Sequence, residues 1–362
     1  MSSTTYPPIS YADYLKTNEL LNQQKLRSEE FGRKAHDEML FIIVHQTYEL
    51  WFKQMLHELD SVLGIFAANP IPEQSMLMAV HRLSRMVEIH KLLVDQVSVM
   101  ETMTPLDFLD FRDMLYPASG FQSTQWRLLE NKLGLKRDQR LTYNAVPYHA
   151  YVNEAEAARM KQAEAEPSLF DRVDEWLTRT PFLKTKDFDF ANVYGQAVRE
   201  LLQQDREAVR RHAKSDEDRE RNLKSIDETE KVFNALFDAS RYAELKSQGH
   251  FRLSHEALQA ALLILLYRDQ PIFALPFQLL TKLQDLDELM TQWRYRHSLM
   301  AHRMLGSKIG TGGSSGAQYL KAATEKHRVF ADLFNLATFL IPRSKLPALP
   351  ESLTRKMNFT SP

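Results

Sequence analysis

Apolar side chains recur at alternating steps of four and three along two long stretches of the chain. One runs through Leu279, Leu283, Leu286, Met290, Trp293, Met300 and Met304, the other through Phe41, Tyr48, Phe52, Met55, Leu59 and Val62. Steps averaging 3.6 residues keep such positions on one side of a helix, so each stretch predicts a long helix with a buried face. An imidazole fills one place in each stripe, His297 in the first and His45 in the second. The helices are expected over about 276–306 and about 33–67. Around His45 the run MLFIIVHQTYELWF is apolar on nearly every side, which calls for burial on several faces or for one face lining a cavity.

Turn and cap signals divide the rest. A third helix follows Pro70-Ile71-Pro72 and runs to about Met100, Thr104 before Pro105 starts a shorter one, residues 117–120 stop it, and Ser123 caps the next. Ser254 opens an apolar helix that breaks near Asp269-Gln270-Pro271. After a glycine-rich stretch, one or two further helices carry Tyr319, Phe330, Phe334 and Phe339. Residues 10–23 form a short amphipathic helix, marginal by itself. Strand-like alternation is scarce, so the fold class is all-α. No Pro/Gly/Ser-rich linker or repeat divides the 362 residues, and one large domain is expected. Residues 136–249 are less apolar and include the mixed-sign run DREAVRRHAKSDEDRERN, which reads as a peripheral, charged helical insertion.

Composition narrows the chemistry. A hydrophobic content of 44% suffices for a sizeable core, and a formal net charge of -1 offers no footprint for nucleic acid. The absence of cysteine removes disulfides, thiolate nucleophiles, cysteine-ligated zinc and iron–sulfur clusters, leaving His, carboxylate or a cofactor to hold any metal. The start MSSTTYPPISYADYL lacks a basic segment followed by an apolar run, and the apolar run at 260–267 is too short for a bilayer. The expected location is cytoplasmic, with no membrane partner.

A lone histidine on an apolar face is more often a satisfied core residue than a ligand. Two such histidines improve the case for function: if both helices line one cavity, one imidazole can ligate haem iron while the other hydrogen-bonds a substrate. His302, five residues beyond His297, points to another face. The loop GTGGSSG at 310–316 suggests an anion nest, but a helix precedes it and no Gly-Lys-Ser/Thr ending follows, so it is no phosphate loop. Thr311, Ser314 and Ser315 offer hydroxyls and amides there, or the loop is a connector whose serines cap the next helix. Arg112 lies among Phe108, Phe111 and Leu115 and calls for a carboxylate or phosphate, either a ligand's or that of Asp110 or Asp113.

The motifs HDEMLFIIVHQTYELWFKQ (36–54), TPLDFLDFRDMLYPASGFQS (104–123), WRYRH (293–297) and GTGGSSG together resemble the tryptophan 2,3-dioxygenase family, over nearly the whole chain and in the right order. The charged central segment is similar to that of the longer, animal-type members. The resemblance implies a helical protein binding one haem b per subunit, assembled as a homotetramer (a dimer of dimers), that uses O2 to open the indole C2–C3 bond of L-tryptophan and yield N-formylkynurenine. On matching positions it implies that His297 is the proximal iron ligand and His45 the distal histidine facing the indole N–H. It implies that Phe41, Phe111 and Leu115 pack on the substrate, that Arg112 pairs with its carboxylate, and that Thr311 contacts its amino-acid end. Ser119 would lie at the haem edge, while Tyr11, Tyr14 and Leu15, within a segment at 1–25, would reach a neighbouring subunit's pocket. Val97 stands where bacterial members commonly have an aromatic, which leaves a related indole open as substrate. A non-catalytic haem-binding or sensor protein is the competing class; it would have lost His45, Arg112 or Thr311, and all three are present.

Overall fold

The computed structural model describes residues 6–141, 147–306, 308 and 316–358. Among them the chain is helical with a single isolated bridge, between Lys184 and Asp189, so the all-α expectation holds. The amino-terminal third holds α1 (Tyr11–Leu15), α2 (Thr17–Leu21), α3 (Arg27–Glu30), α4 (Glu38–Phe66), α5 (Glu73–Met100), α6 (Pro105–Arg112) and α7 (Thr124–Leu133). The central part holds α8 (Glu154–Ala165), α9 (Leu169–Thr178), α10 (Phe190–His212), α11 (Asp216–Phe237) and α12 (Ala239–Ser247). Then come α13 (His255–Leu266), α14 (Ala274–Leu305), α15 (Gly316–Lys326), α16 (Ala331–Asn335) and α17 (Glu351–Met357). No helix among the described residues is long and apolar enough to cross a membrane.

Local chemistry explains most boundaries. Thr104 and Asp107 form a reciprocal capping box at the start of α6, and the hydroxyls of Ser123 and Ser254 accept from the Trp126 and Ala257 amides. Two expectations need correction. The helix expected from about 33 begins at Glu38, because the chain turns at Gly32 (φ 69°) and the Glu38 carboxylate accepts the amides of Arg27 and Ser28 at 2.8 and 2.9 Å. The single helix expected over 10–23 is two short ones, since Lys16 adopts the left-handed conformation (φ 55°) and ends α1.

The frame is a set of long helices: α14, of 32 residues, packs along α5, α5 packs along α4, and α4 in turn meets α7. Their shared face is the main core, through Phe52, Met55, Leu59, Leu83, Met86, Leu93, Leu283 and Leu286. The same core takes Leu169, Phe170, Val173, Leu177, Tyr194, Val198 and Phe233 from the segment read as a peripheral insertion. The inner faces of α9, α10 and α11 are therefore integral, and the charge run at 205–222 occupies the largely exposed end of α10 and start of α11. A smaller cluster of Ala35, Val44, Met100, Met103, Phe111 and Met304 lies between α4, α5, α6 and the end of α14. Between the two cores the helices part around a cavity.

Candidate active site

The cavity has two lobes, of about 250 and about 550 Å³, that share the side chains of Phe41, His45, Ser119, Trp126, Trp293 and His297. The histidines of the two stripes thus face one space. Both open onto it, the cavity-lining alternative that the apolar surroundings of His45 left open. His302 is exposed.

His45 sits one turn after Phe41 on α4, and its Nδ1 lies 2.7 Å from the Phe41 carbonyl oxygen. A carbonyl only accepts, so Nδ1 carries the hydrogen and Nε2 keeps a lone pair. Burial lowers the pKa of His45 below 6.5, against smaller upward effects from the Phe41 carbonyl and from Glu49, so the ring is neutral at pH 7. Burial, with His45 as a lesser cause, lowers His297 to about 4. Among the described residues His297 makes no hydrogen bond, and it stacks on Trp293, with centroids 5.4 Å apart and planes 27° apart.

An aromatic wall flanks His45. The Phe41 ring lies 4.1 Å from the imidazole and 5.8 Å from Phe108, both centroid to centroid, and Phe41 and Phe108 line the cavity. Leu115 lines the larger lobe. Phe111 does not reach it: fully buried, it stands 5.5 Å behind both Phe41 and Phe108 and fixes their tilt. Arg112 ends α6, half-buried, between the lining residues Phe108 and Leu115, and is not itself among the lining side chains. Asp113, one of its candidate partners, instead accepts from Arg33 Nη1 with both oxygens, at 2.9 and 3.0 Å. Ser119 borders both lobes, its hydroxyl accepting from the Phe121 amide at 3.3 Å. Tyr11, Tyr14 and Leu15 are 76, 72 and 44% exposed and contribute nothing to this subunit's cavity. Thr311, Ser314 and Ser315 lie outside the described residues.

Two groups had no signal in the sequence. Glu49, one turn beyond His45, accepts from Ser123 Oγ at 2.6 Å and Gln125 Nε2 at 2.7 Å, tying the ledge after Ser119 to the His45 helix. At the smaller lobe, buried Glu130 receives Arg127 and Arg140 on one oxygen, at 2.9 and 2.6 Å, and Arg294 on the other, at 2.9 Å. Burial alone would raise the Glu130 pKa, but Arg140, Arg127 and Arg294 together hold it well below the usual carboxylate range. His327 closes the cluster: its Nε2 accepts from the Leu141 amide at 3.1 Å and its Nδ1 lies 3.9 Å from Glu130. Only WRYRH hinted at this wall, through Arg294, and no spacing links position 130 to positions 140, 294 or 327.

A family model described as tryptophan 2,3-dioxygenase matches residues 3–340. A tryptophan 2,3-dioxygenase of Bdellovibrio bacteriovorus is 54% identical over 98% of this chain and 99% of its own length. That of Alteromonas mediterranea is 50% identical over 97% of this chain and 98% of its own, and tryptophan 2,3-dioxygenase A of Danio rerio is 49% identical over 94% and 84%. The two bacterial relatives thus match nearly the whole chain and nearly the whole of their own length, while the animal one is matched over 84% of its own. Similarity at this level, sustained from the His45 helix through the His297 helix, places the chain in the tryptophan 2,3-dioxygenase family.

Proposed function

We propose that the chain binds one haem b per subunit through His297 and oxidises L-tryptophan with O2 to N-formylkynurenine, both oxygen atoms entering the product. The observation that carries this reading is the pair of neutral histidines facing one apolar cavity from α4 and α14 with different commitments: His45 has its Nδ1 tied, and His297, among the described residues, does not. The donor set fits the cofactor. A neutral, half-buried imidazole offers the lone pair an axial ligand needs. Three arginines sharing one carboxylate make the wall of the smaller lobe suited to the propionates of haem, with Arg127 and Arg294 bordering the space. Bound haem supplies the ferrous iron at which O2 chemistry occurs.

The protein's part is orientation and exclusion of water. His45 Nε2, held as an acceptor by the Nδ1 bond to Phe41, receives the indole N–H and fixes the ring's rotation. Phe41, Phe108 and Leu115 enclose the indole, with Phe111 bracing the two phenylalanines from behind. Arg112 takes the substrate carboxylate, and Thr311 its amino-acid end, on the strength of the family resemblance. Tyr11, Tyr14 and Leu15 serve a neighbour's pocket: they are exposed here, as are Ile43, Leu50, Leu92, Val99, Tyr295 and Leu299 on α4, α5 and α14, which supports assembly into a homotetramer. The cytoplasm is the proposed compartment.

Two outcomes test these roles. Protonation turns His45 Nε2 from acceptor to donor, so kcat/KM should fall as pH drops through the lowered His45 pKa, below 6.5, and stay level above it. A profile with its acid limb above 6.5 would remove His45 from that role. Arg112→Lys keeps the charge but loses the planar two-pronged contact, and hydrogen bonds to charged groups are worth about 1.5–3 kcal/mol, so kcat/KM for tryptophan should fall roughly 10- to 100-fold, mainly through KM. An unchanged KM would assign Arg112 to an internal contact.

A further inference from the structure

Histidines that ligate metals nearly always donate their second ring N–H to a carboxylate, carbonyl or water, which sets the plane of the ring. His45 makes such a bond to the carbonyl one turn before it, at 2.7 Å. His297, in the same position relative to Trp293 on its own helix, makes none among the described residues. Its imidazole lies instead against the Trp293 indole at 27°.

That indole is held from three sides. Trp126 lies 4.5 Å away at 43°, Tyr48 meets it edge-on at 5.9 Å and 68°, and Phe52 at 6.2 Å and 87°. Its neighbours are anchored in turn, Tyr48 donating its hydroxyl to the Leu93 carbonyl at 3.0 Å. Trp126 lies beneath Arg294, whose guanidinium carbon is 5.6 Å from the ring and whose Nη2 donates to Glu130 at 2.9 Å. Offset aromatic contacts of this kind stabilise a ring pair beyond the area they bury, and several together favour one ring plane over its rotated alternatives.

We propose that Trp293 is a positioning residue that sets the plane of the His297 imidazole by stacking, in the place where other haem proteins use a hydrogen bond. The proposal rests on His297 being the iron ligand. An imidazole held this way stays neutral and gains no extra basicity from a carboxylate, so iron–nitrogen bond strength depends on ring geometry. Phenylalanine at 293 keeps a stacking face, whereas methionine fills much of the volume without one.

The test compares full-length, haem-loaded, ferrous wild type with W293F, W293M and H297A, reading the iron–imidazole stretch by resonance Raman and the rate of haem transfer to excess apomyoglobin. W293F should keep the band, while W293M should displace or broaden it and speed haem transfer on the order of tenfold. A wild-type band and rate in W293M overturn the proposal, and so does an equal change in W293F and W293M, which would make the indole mere filler. The wild-type ferric cyanide complex gives a second reading that needs no variant: haem-methyl proton shifts spread by one fixed imidazole plane are expected, and shifts averaged by ring rotation overturn the proposal. H297A should lose the band altogether. If it does not, the ligand assignment falls, and that failure is separate from an unaltered W293M.

Discussion

Replacing His297 with alanine is expected to bring tryptophan oxidation to background and to remove the Soret signature of five-coordinate ferrous haem. The reason is the lack of a substitute. His45 has its Nδ1 committed to the Phe41 carbonyl and stands on the opposite helix, where ligation would take the side needed for O2 and substrate. His327 also borders the smaller lobe, but its Nε2 accepts from the Leu141 amide and its Nδ1 faces Glu130. His302 is exposed. Absorption spectra of the reduced variant, with and without added imidazole, check this: free imidazole should enter the vacated space and restore a Soret band. A variant that keeps both spectrum and turnover would move the iron ligand elsewhere.

Glu130→Gln should be the most destabilising single change near the cavity. The substitution nearly preserves shape, but it removes the carboxylate that, among the described residues, pairs with the buried Arg127, Arg140 and Arg294. Breaking a buried ion pair by removing one partner costs about 3–5 kcal/mol, because the other charge is left without compensation. The cost should appear as a lower denaturant midpoint at unchanged slope. Glu130 also joins α7 to α14 through Arg294, whose Nη1 donates to the His327 carbonyl at 2.9 Å, so the loss should reach haem affinity as well. A loss under about 1 kcal/mol would mean that water or a rearranged acid replaces the carboxylate.

The long helices and their caps were legible because their causes are local. Thr104, Ser123 and Ser254 cap the helices their spacing announces, and His45 and His297 stand out as breaks in otherwise apolar stripes. That both rings face one cavity is a tertiary fact which periodicity does not contain; only resemblance supplied it beforehand. The same holds for the Glu130 cluster, which gathers residues 127, 140, 294 and 327 from separate parts of the chain. Average composition misled over 136–249, where the solvated outer faces of α10 and α11 masked inner positions such as Tyr194, Val198, Leu202 and Phe233. Phe111 could not be told from Phe108 by sequence, since both flank Arg112; packing puts one behind the other. The left-handed Lys16 had no warning in the form of glycine or asparagine.

The most direct test of the whole account is product formation in a single defined reaction. Haem-loaded protein is reduced without oxygen, L-tryptophan is added, O2 is admitted, and the absorbance of N-formylkynurenine is followed. The account predicts multiple turnovers, one product formed per O2 consumed, and no product without tryptophan. Ferrous, haem-loaded protein that binds tryptophan and yet forms no N-formylkynurenine would contradict it.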